Sequence, residues 1–177
     1  TSAQSRHCSL RSSAWPFPHP DLASGLEAFC GNRLREAFSI LEPLAGNGNS
    51  DAQVIMGVRY SYGMDGKRDS RRARKWYTKA AEQGDAEAQV SLGLMLAKGD
   101  GVKADWVEAV RWFRKAAEAG SAAGQYNLGF AYSDGLGTPK DAVQGSEWYQ
   151  KSAEQGYVWA QTNLGSIEVS TGQTSAS

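Results

Sequence analysis

The end of one helix is written three times in this chain: Lys79-Ala80-Ala81-Glu82-Gln83-Gly84, Lys115-Ala116-Ala117-Glu118-Ala119-Gly120 and Lys151-Ser152-Ala153-Glu154-Gln155-Gly156. The closing glycines are 36 residues apart each time, with no insertion between copies. A fixed period of this size marks a stacked helical array, because one helical hairpin cannot bury its apolar face alone and must lean on the next. Other series keep the same register: Gln53, Gln89, Gln125 and Gln161; Gly57, Gly93, Gly129 and Gly165; Gly63, Gly99 and Gly135; Asp69, Asp105 and Asp141; Trp76, Trp112 and Trp148.

Each unit reads as helix A, turn, helix B, turn. In the second unit helix A runs roughly from Ala86 to Lys98, and Ala88, Leu92 and Leu96 form one apolar stripe. Gly99-Asp100-Gly101 stops it, since glycine accepts the left-handed conformation that a helix end needs. Asp105 then caps helix B, as Asp69 and Asp141 do in their units. Ala109, Trp112, Phe113 and Ala116 supply its inward face, Lys115 sits where the helix dipole favours a cation, and Gly120 closes it. A glycine inside helix A costs about 1 kcal/mol relative to alanine. Its return at 57, 93, 129 and 165 predicts close packing against helix B of the same unit, with Trp76, Trp112 or Trp148 opposite. Gly145 replaces Ala73 and Ala109 and is expected to loosen helix B of the third unit.

Residues 1–25 read as an irregular or disordered leader, with alternating prolines at Trp15-Pro16-Phe17-Pro18-His19-Pro20. Trp15 and Phe17 offer the leader a way to pack on the first helix. The repeat array spans 26–170: a worn half-unit at 26–49, units at 50–85, 86–121 and 122–157, and helix A of a fourth at 158–170. The half-unit is helical in pattern from Leu26 to Ala45, and Pro43–Gly48 is a degenerate copy of the repeated helix end. Residues 171–177 read as a disordered tail.

These units resemble the Sel1-like repeat family of the tetratricopeptide-like superfamily. The resemblance rests on Ala88-Gln89, Leu92-Gly93, Leu96, Gly99, Asp105, Ala109, Trp112, Lys115-Ala116-Ala117-Glu118 and Gly120. It continues in the third unit through Ala122, Gln125-Tyr126-Asn127-Leu128-Gly129, Tyr132, Gly135-Leu136-Gly137, Asp141 and Trp148. It implies an all-α, right-handed solenoid of antiparallel helix pairs acting as a non-enzymatic protein–protein interaction module or adaptor. The first unit departs from the pattern at Tyr60–Arg68, where the family prefers a Gly-Gly-Val type of turn. The disulfides that bridge the helices of secreted cysteine-rich relatives have no counterpart in these units.

Little in the chain points to chemistry. Nineteen basic and 19 acidic residues balance, so bulk charge draws it neither to nucleic acid nor to an anionic membrane. No apolar run is long enough to span a bilayer. Both histidines, His7 and His19, lie in the leader, so no histidine-based triad or acid–base pair is expected. His7, Cys8 and His19 are irregularly spaced and make no zinc signature, and no cofactor or metal is expected. Glu82, Glu118 and Glu154 follow the period of the fold and need no catalytic role. The glycine-rich turns lack the preceding strand and following Lys-Ser/Thr of a phosphate loop. The pairing of Cys8 with Cys30 and the redox compartment stay open. The chain opens on Thr1 rather than Met, which suggests either a processed N-terminus or an engineered start, and leaves secretion open. A soluble protein of the bacterial cytoplasm or periplasm is the expectation.

Two surfaces remain. Six of the nine residues from Lys67 to Lys75 are basic: Lys67, Arg68, Arg71, Arg72, Arg74 and Lys75. They read either as a docking patch for an acidic or phosphorylated partner or as a solvated outer face compensated by nearby acids. Missing aromatic interleaving argues against nucleic acid. The second surface is the concave groove lined by helix A, where residues vary between repeats while packing positions do not. Arg59, Tyr62, Tyr126, Asn127, Phe130, Trp159 and Asn163 are the candidate partner contacts; packing between neighbouring units is the alternative reading. Self-assembly through the open end near Trp159 and Leu164 is a second functional reading. A small-molecule-binding or hydrolytic role, as in β-lactam-linked cysteine-rich relatives, is a third.

Overall fold

The computed structural model describes residues 20–171, with side chains for 21–165. The leader through residue 19, with Cys8, both histidines, Trp15 and Phe17, and the tail from 172 lie outside the described residues. Every regular element among the described residues is an α-helix. They are α1 (Pro20–Cys30), α2 (Leu34–Gly46), α3 (Ser50–Tyr62), α4 (Ser70–Glu82), α5 (Ala86–Lys98), α6 (Trp106–Glu118), α7 (Ala122–Asp134), α8 (Ala142–Glu154) and α9 (Val158–Thr171). The chain forms two bodies, one through Gln83 and one from Gly84. In the first, α1 pairs with α2, α2 packs on α3, and α3 pairs with α4. In the second, α5 pairs with α6, α6 packs on α7, α7 pairs with α8, and α9 packs on α8.

Local chemistry sets the helix ends. Asn49, Asp69, Asp85, Asp105, Ser121 and Asp141 each accept a hydrogen bond from the backbone N–H three residues on, at 2.8–3.2 Å. Each such cap is worth about 1 kcal/mol. Gly63, Gly99 and Gly135 end the A helices in the left-handed region, with φ of 61°, 72° and 72°. Gly84, Gly120 and Gly156 follow the B helices at φ of 93°, 88° and 82°.

Three of the four mid-helix glycines, Gly57, Gly93 and Gly129, mark where the two helices of a unit touch, while a Cβ on Gly165 would meet nothing within 4 Å; the partner is not the tryptophan. A Cβ on Gly57 would lie 2.5 Å from the Tyr77 ring, and one on Gly93 would lie 2.5 Å from Phe113. On Gly129 it would meet the Gly145 carbonyl at 2.9 Å and Tyr149 at 3.0 Å. The buried aromatic is thus the residue after each tryptophan, one step of about 100° further around the helix. Trp76, Trp112 and Trp148 are half-buried on the flank instead. There the ammonium groups of Lys79, Lys115 and Lys151 sit 4.6, 4.1 and 4.1 Å from the ring centroids. Gly145 does not leave slack either. A Cβ there would collide with the Ser133 side chain and the Gly129 carbonyl, so the glycine lets the backbones of α7 and α8 approach closely.

Buried glutamines join successive hairpins. Gln53 Nε2 donates to the Ala45 carbonyl at 3.0 Å while its Oε1 accepts from Gln83 at 2.7 Å. Gln125 repeats this with Ala117 at 3.4 Å and Gln155 at 2.8 Å. Each adds a side-chain donor to a last-turn carbonyl that also accepts a backbone N–H, from Gly48 at Ala45 and from Gly120 at Ala117.

The N-terminal part differs from the half-unit read in the sequence. Helix α1 starts at Pro20, inside the span assigned to the leader, and the helical pattern breaks at Gly31–Arg33, where Asn32 has φ 59°. The result is a second helical hairpin. A Cβ on Gly25 would lie 2.6 Å from Leu41, and Phe29 packs 6.3 Å from Phe38, so α1 crosses α2 as α3 crosses α4. Cys30, in the last turn of α1, is disulfide-bonded.

Candidate interaction surfaces

In the first body, Arg59 on α3 is already committed. Its guanidinium pairs with Glu42 of α2 at 3.0 Å and with Asp65 of the turn after α3, and it stacks 4.5 Å from the Phe38 ring centroid. Only 16% of its side chain is exposed. Burial alone would lower its pKa; hydrogen bonds to Asp65 and Glu42 outweigh that and raise it. Three elements are pinned by this one cation, and the groove reading could not anticipate it because Glu42 lies 17 residues away. Tyr62, at the end of α3, is 58% exposed.

The basic stretch divides by structure. Arg72 turns back on Asp69, with Nε 3.3 Å from the carboxylate and the guanidinium 5.4 Å from the Tyr60 centroid. Arg74 is half-buried, and its Nε is buried without a hydrogen-bond partner. Arg68 is exposed on the turn before α4. Lys67, Arg71 and Lys75 are exposed, and no acid pairs with them among the described residues. Helix α4 has no acidic residue in its first turn, whereas α6 has Glu108 there. A cation at this end opposes the helix dipole at a cost of about 0.3–1 kcal/mol. The like-charged pair Arg71 and Lys75, four apart, adds about 0.2–0.5 kcal/mol.

In the second body, Tyr126 of α7 stands between two rings, 5.5 Å from Tyr149 and 5.2 Å from Tyr157. Burial raises the pKa of the Tyr149 phenol, against a hydrogen bond with Asn163 of α9 that lowers it. Tyr126 and Asn163 are therefore brought together around Tyr149. Phe130 packs 6.3 Å from Trp106, and the backbone of Trp106 leaves no room for a Cβ on Gly137. Asn127 is spent locally, its Nδ2 donating 2.7 Å to the Ala123 carbonyl of its own helix. Val158 and Trp159, at the start of α9, are 66% and 65% exposed. The partners Tyr149, Tyr157 and Trp106 were missed in sequence. Tyr157 carried a signal: it stands 36 residues after Ser121, where the three preceding units place the caps Asn49, Asp85 and Ser121.

A shallow depression of about 630 Å³ lies along α6, lined by Asp105, Val107, Glu108, Arg111, Trp112, Arg114 and Lys115. It mixes both charges around one tryptophan. Among the described residues no cluster of His, Cys, Asp and Glu could hold a metal, and no helix is long and apolar enough to cross a membrane.

The 36-residue units coincide with a family model: the Sel1 repeat matches residues 50–85, 86–121 and 122–157, well over half the chain. This chain belongs to the Sel1 repeat family. Its fold is accordingly the all-α solenoid class, and Sel1 repeats generally mediate protein interactions.

Among solved Sel1-type structures, a protective antigen of uropathogenic Escherichia coli displaying an SLR fold is 41% identical. Its TM-score is 0.80 over 86% of this chain and 33% of that one. A Sel1 repeat protein from Oxalobacter formigenes is 35% identical, with a TM-score of 0.76 over 81% of this chain and 59% of that one. The chain thus spans a third of the first and under two thirds of the second. Helicobacter pylori cysteine rich protein B, 20% identical with a TM-score of 0.59 over 75% of this chain and 95% of that one, shares the fold alone. A search of curated proteins gave no match.

Proposed function

We propose that this Sel1 repeat protein is a non-enzymatic interaction module that holds a peptide or partner domain against its helix A face. The observation that carries this reading is Trp159, 65% exposed beside the equally exposed Val158. A large aromatic in water is costly for a monomer and typical of an anchor that enters a partner's pocket. Tyr126, Phe130 and Asn163 extend the surface on α7 and α9, with Asn127 contributing at its edge. Within the first body Tyr62 is the exposed candidate contact, and Arg59 ties α3 to Glu42 and Asp65. The test is affinity purification with quantitative mass spectrometry on wild type, Trp159→Ala and Tyr126→Ala/Asn127→Ala. A partner enriched by wild type and lost from both variants supports the reading; identical recovery by all three removes it.

A second reading has its own observation. A Cβ on Gly165 would meet nothing within 4 Å, so among the described residues no helix covers α9 there, whereas the earlier A helices are covered. That face, together with Val158 and Trp159, suits a second copy of the chain. Light scattering over a concentration series decides: a constant monomer mass eliminates self-assembly and leaves the partner reading intact.

A further inference from the structure

The net charge of zero conceals a gradient. Residues 50–85 carry 8 basic and 5 acidic side chains, 86–121 carry 5 and 5, and 122–157 carry 2 and 4. The excess in the first repeat is concentrated on α4 and the turn before it. Where α4 has Arg71, the equivalent positions are Val107 and Val143; where it has Arg72, they are Glu108 and Gln144. Lys75 corresponds to Arg111 and Glu147. The same scaffold therefore accepts apolar, neutral or acidic residues at these places, and the fold has no need of cations there. Arg71 also stands in the first turn against the helix dipole, and against Lys75 four residues on.

We propose that the exposed face formed by Lys67, Arg71 and Lys75 is a docking site for an acidic, Asp/Glu-rich peptide segment of a partner protein. It is distinct from the α9 surface and shares no residue with it. Charge complementarity sets the chemistry of the occupant. Geometry favours an extended segment. Arg71 and Lys75, four apart on α4, are separated by about 6 Å along its axis, with Lys67 in the turn just before. Alternate side chains of an extended peptide lie about 6.6 Å apart on one face, so an acid at every second position meets one cation after another. Nucleic acid fits less well. The nearby rings are covered, Trp76 by Lys79 and Tyr60 by Arg59 and Arg72, leaving little for a base to stack on.

The test uses the full chain and a fluorescent peptide with Glu at every second position, followed by anisotropy at about 0.15 M salt. Binding should weaken about tenfold or more in R71E/K75E and less in R71Q/K75Q. It should decline with added salt and be unchanged in Trp159→Ala. Circular dichroism melts establish that both charge variants remain folded. The proposal is overturned if the peptide does not bind, if R71E/K75E binds as well as wild type, or if Trp159→Ala alone abolishes binding. It is overturned equally if a duplex oligonucleotide or an anionic phospholipid vesicle binds more tightly than the peptide in the same buffer.

Discussion

Gly93→Ala and Gly165→Ala are the same substitution at equivalent positions of two repeats, and the structure assigns them opposite signs. At 93 the new methyl would lie 2.5, 2.8 and 3.1 Å from three carbons of the Phe113 ring. Carbon pairs prefer about 3.5–4 Å, so the ring must retreat by roughly 1 Å. Phe113 is fully buried and has nowhere to go. Overpacking of this kind costs about 1–3 kcal/mol, and the upper half of that range applies to a fixed ring. Better helix propensity returns about 1 kcal/mol. The net expectation is a loss of about 1–2 kcal/mol, or a Tm lower by about 2–8 °C at about 2–4 °C per kcal/mol. At 165 the methyl meets no neighbour within 4 Å, so only the propensity term remains and stability should rise by up to about 1 kcal/mol. Urea and thermal melts followed by far-UV circular dichroism measure both. A neutral or stabilised Gly93→Ala would refute the claim that this glycine exists to admit the ring of helix B.

Arg59→Met should lower stability by about 1–2 kcal/mol in urea melts, because charge-assisted hydrogen bonds are worth about 1.5–3 kcal/mol and partly exposed partners reduce that. Gln125→Leu removes the hydrogen bonds from Gln155 Nε2 and to the Ala117 carbonyl, and should cost about 1 kcal/mol by the same assay. Because burial raises the Tyr149 pKa, the folded state holds that proton more tightly than the unfolded chain. Its contribution is intact below the ordinary tyrosine value of about 10 and is lost as pH rises past it. Tm measured from pH 8 upward should therefore fall less steeply in Tyr149→Phe than in wild type.

Much of this architecture was readable without coordinates because the features concerned act locally. A cap needs only its own next three residues, so Asp69, Asp105 and Asp141 were legible as helix starts, and a left-handed stop needs only a glycine, as at 63, 99 and 135. The break at Gly31–Arg33 was equally local, with Gly31-Asn32 as its signal, but the weak repeat character of that segment hid a full hairpin behind a half-unit.

What the chain by itself determined, then, is the 36-residue period, the helix ends and the existence of a close helix crossing at Gly57, Gly93 and Gly129, though not at Gly165. Only tertiary structure decided which side chain fills that crossing. Trp76 and Tyr77, Trp112 and Phe113, Trp148 and Tyr149 are adjacent pairs of comparable apolarity, and the rotation of helix B about its own axis chooses between them. The same holds for the candidate contacts. Arg59 meets Glu42 from another helix, and Tyr126 meets Tyr149 and Tyr157 from two further segments. A charge or a ring counts as available for a partner only after packing has settled which of its neighbours it touches.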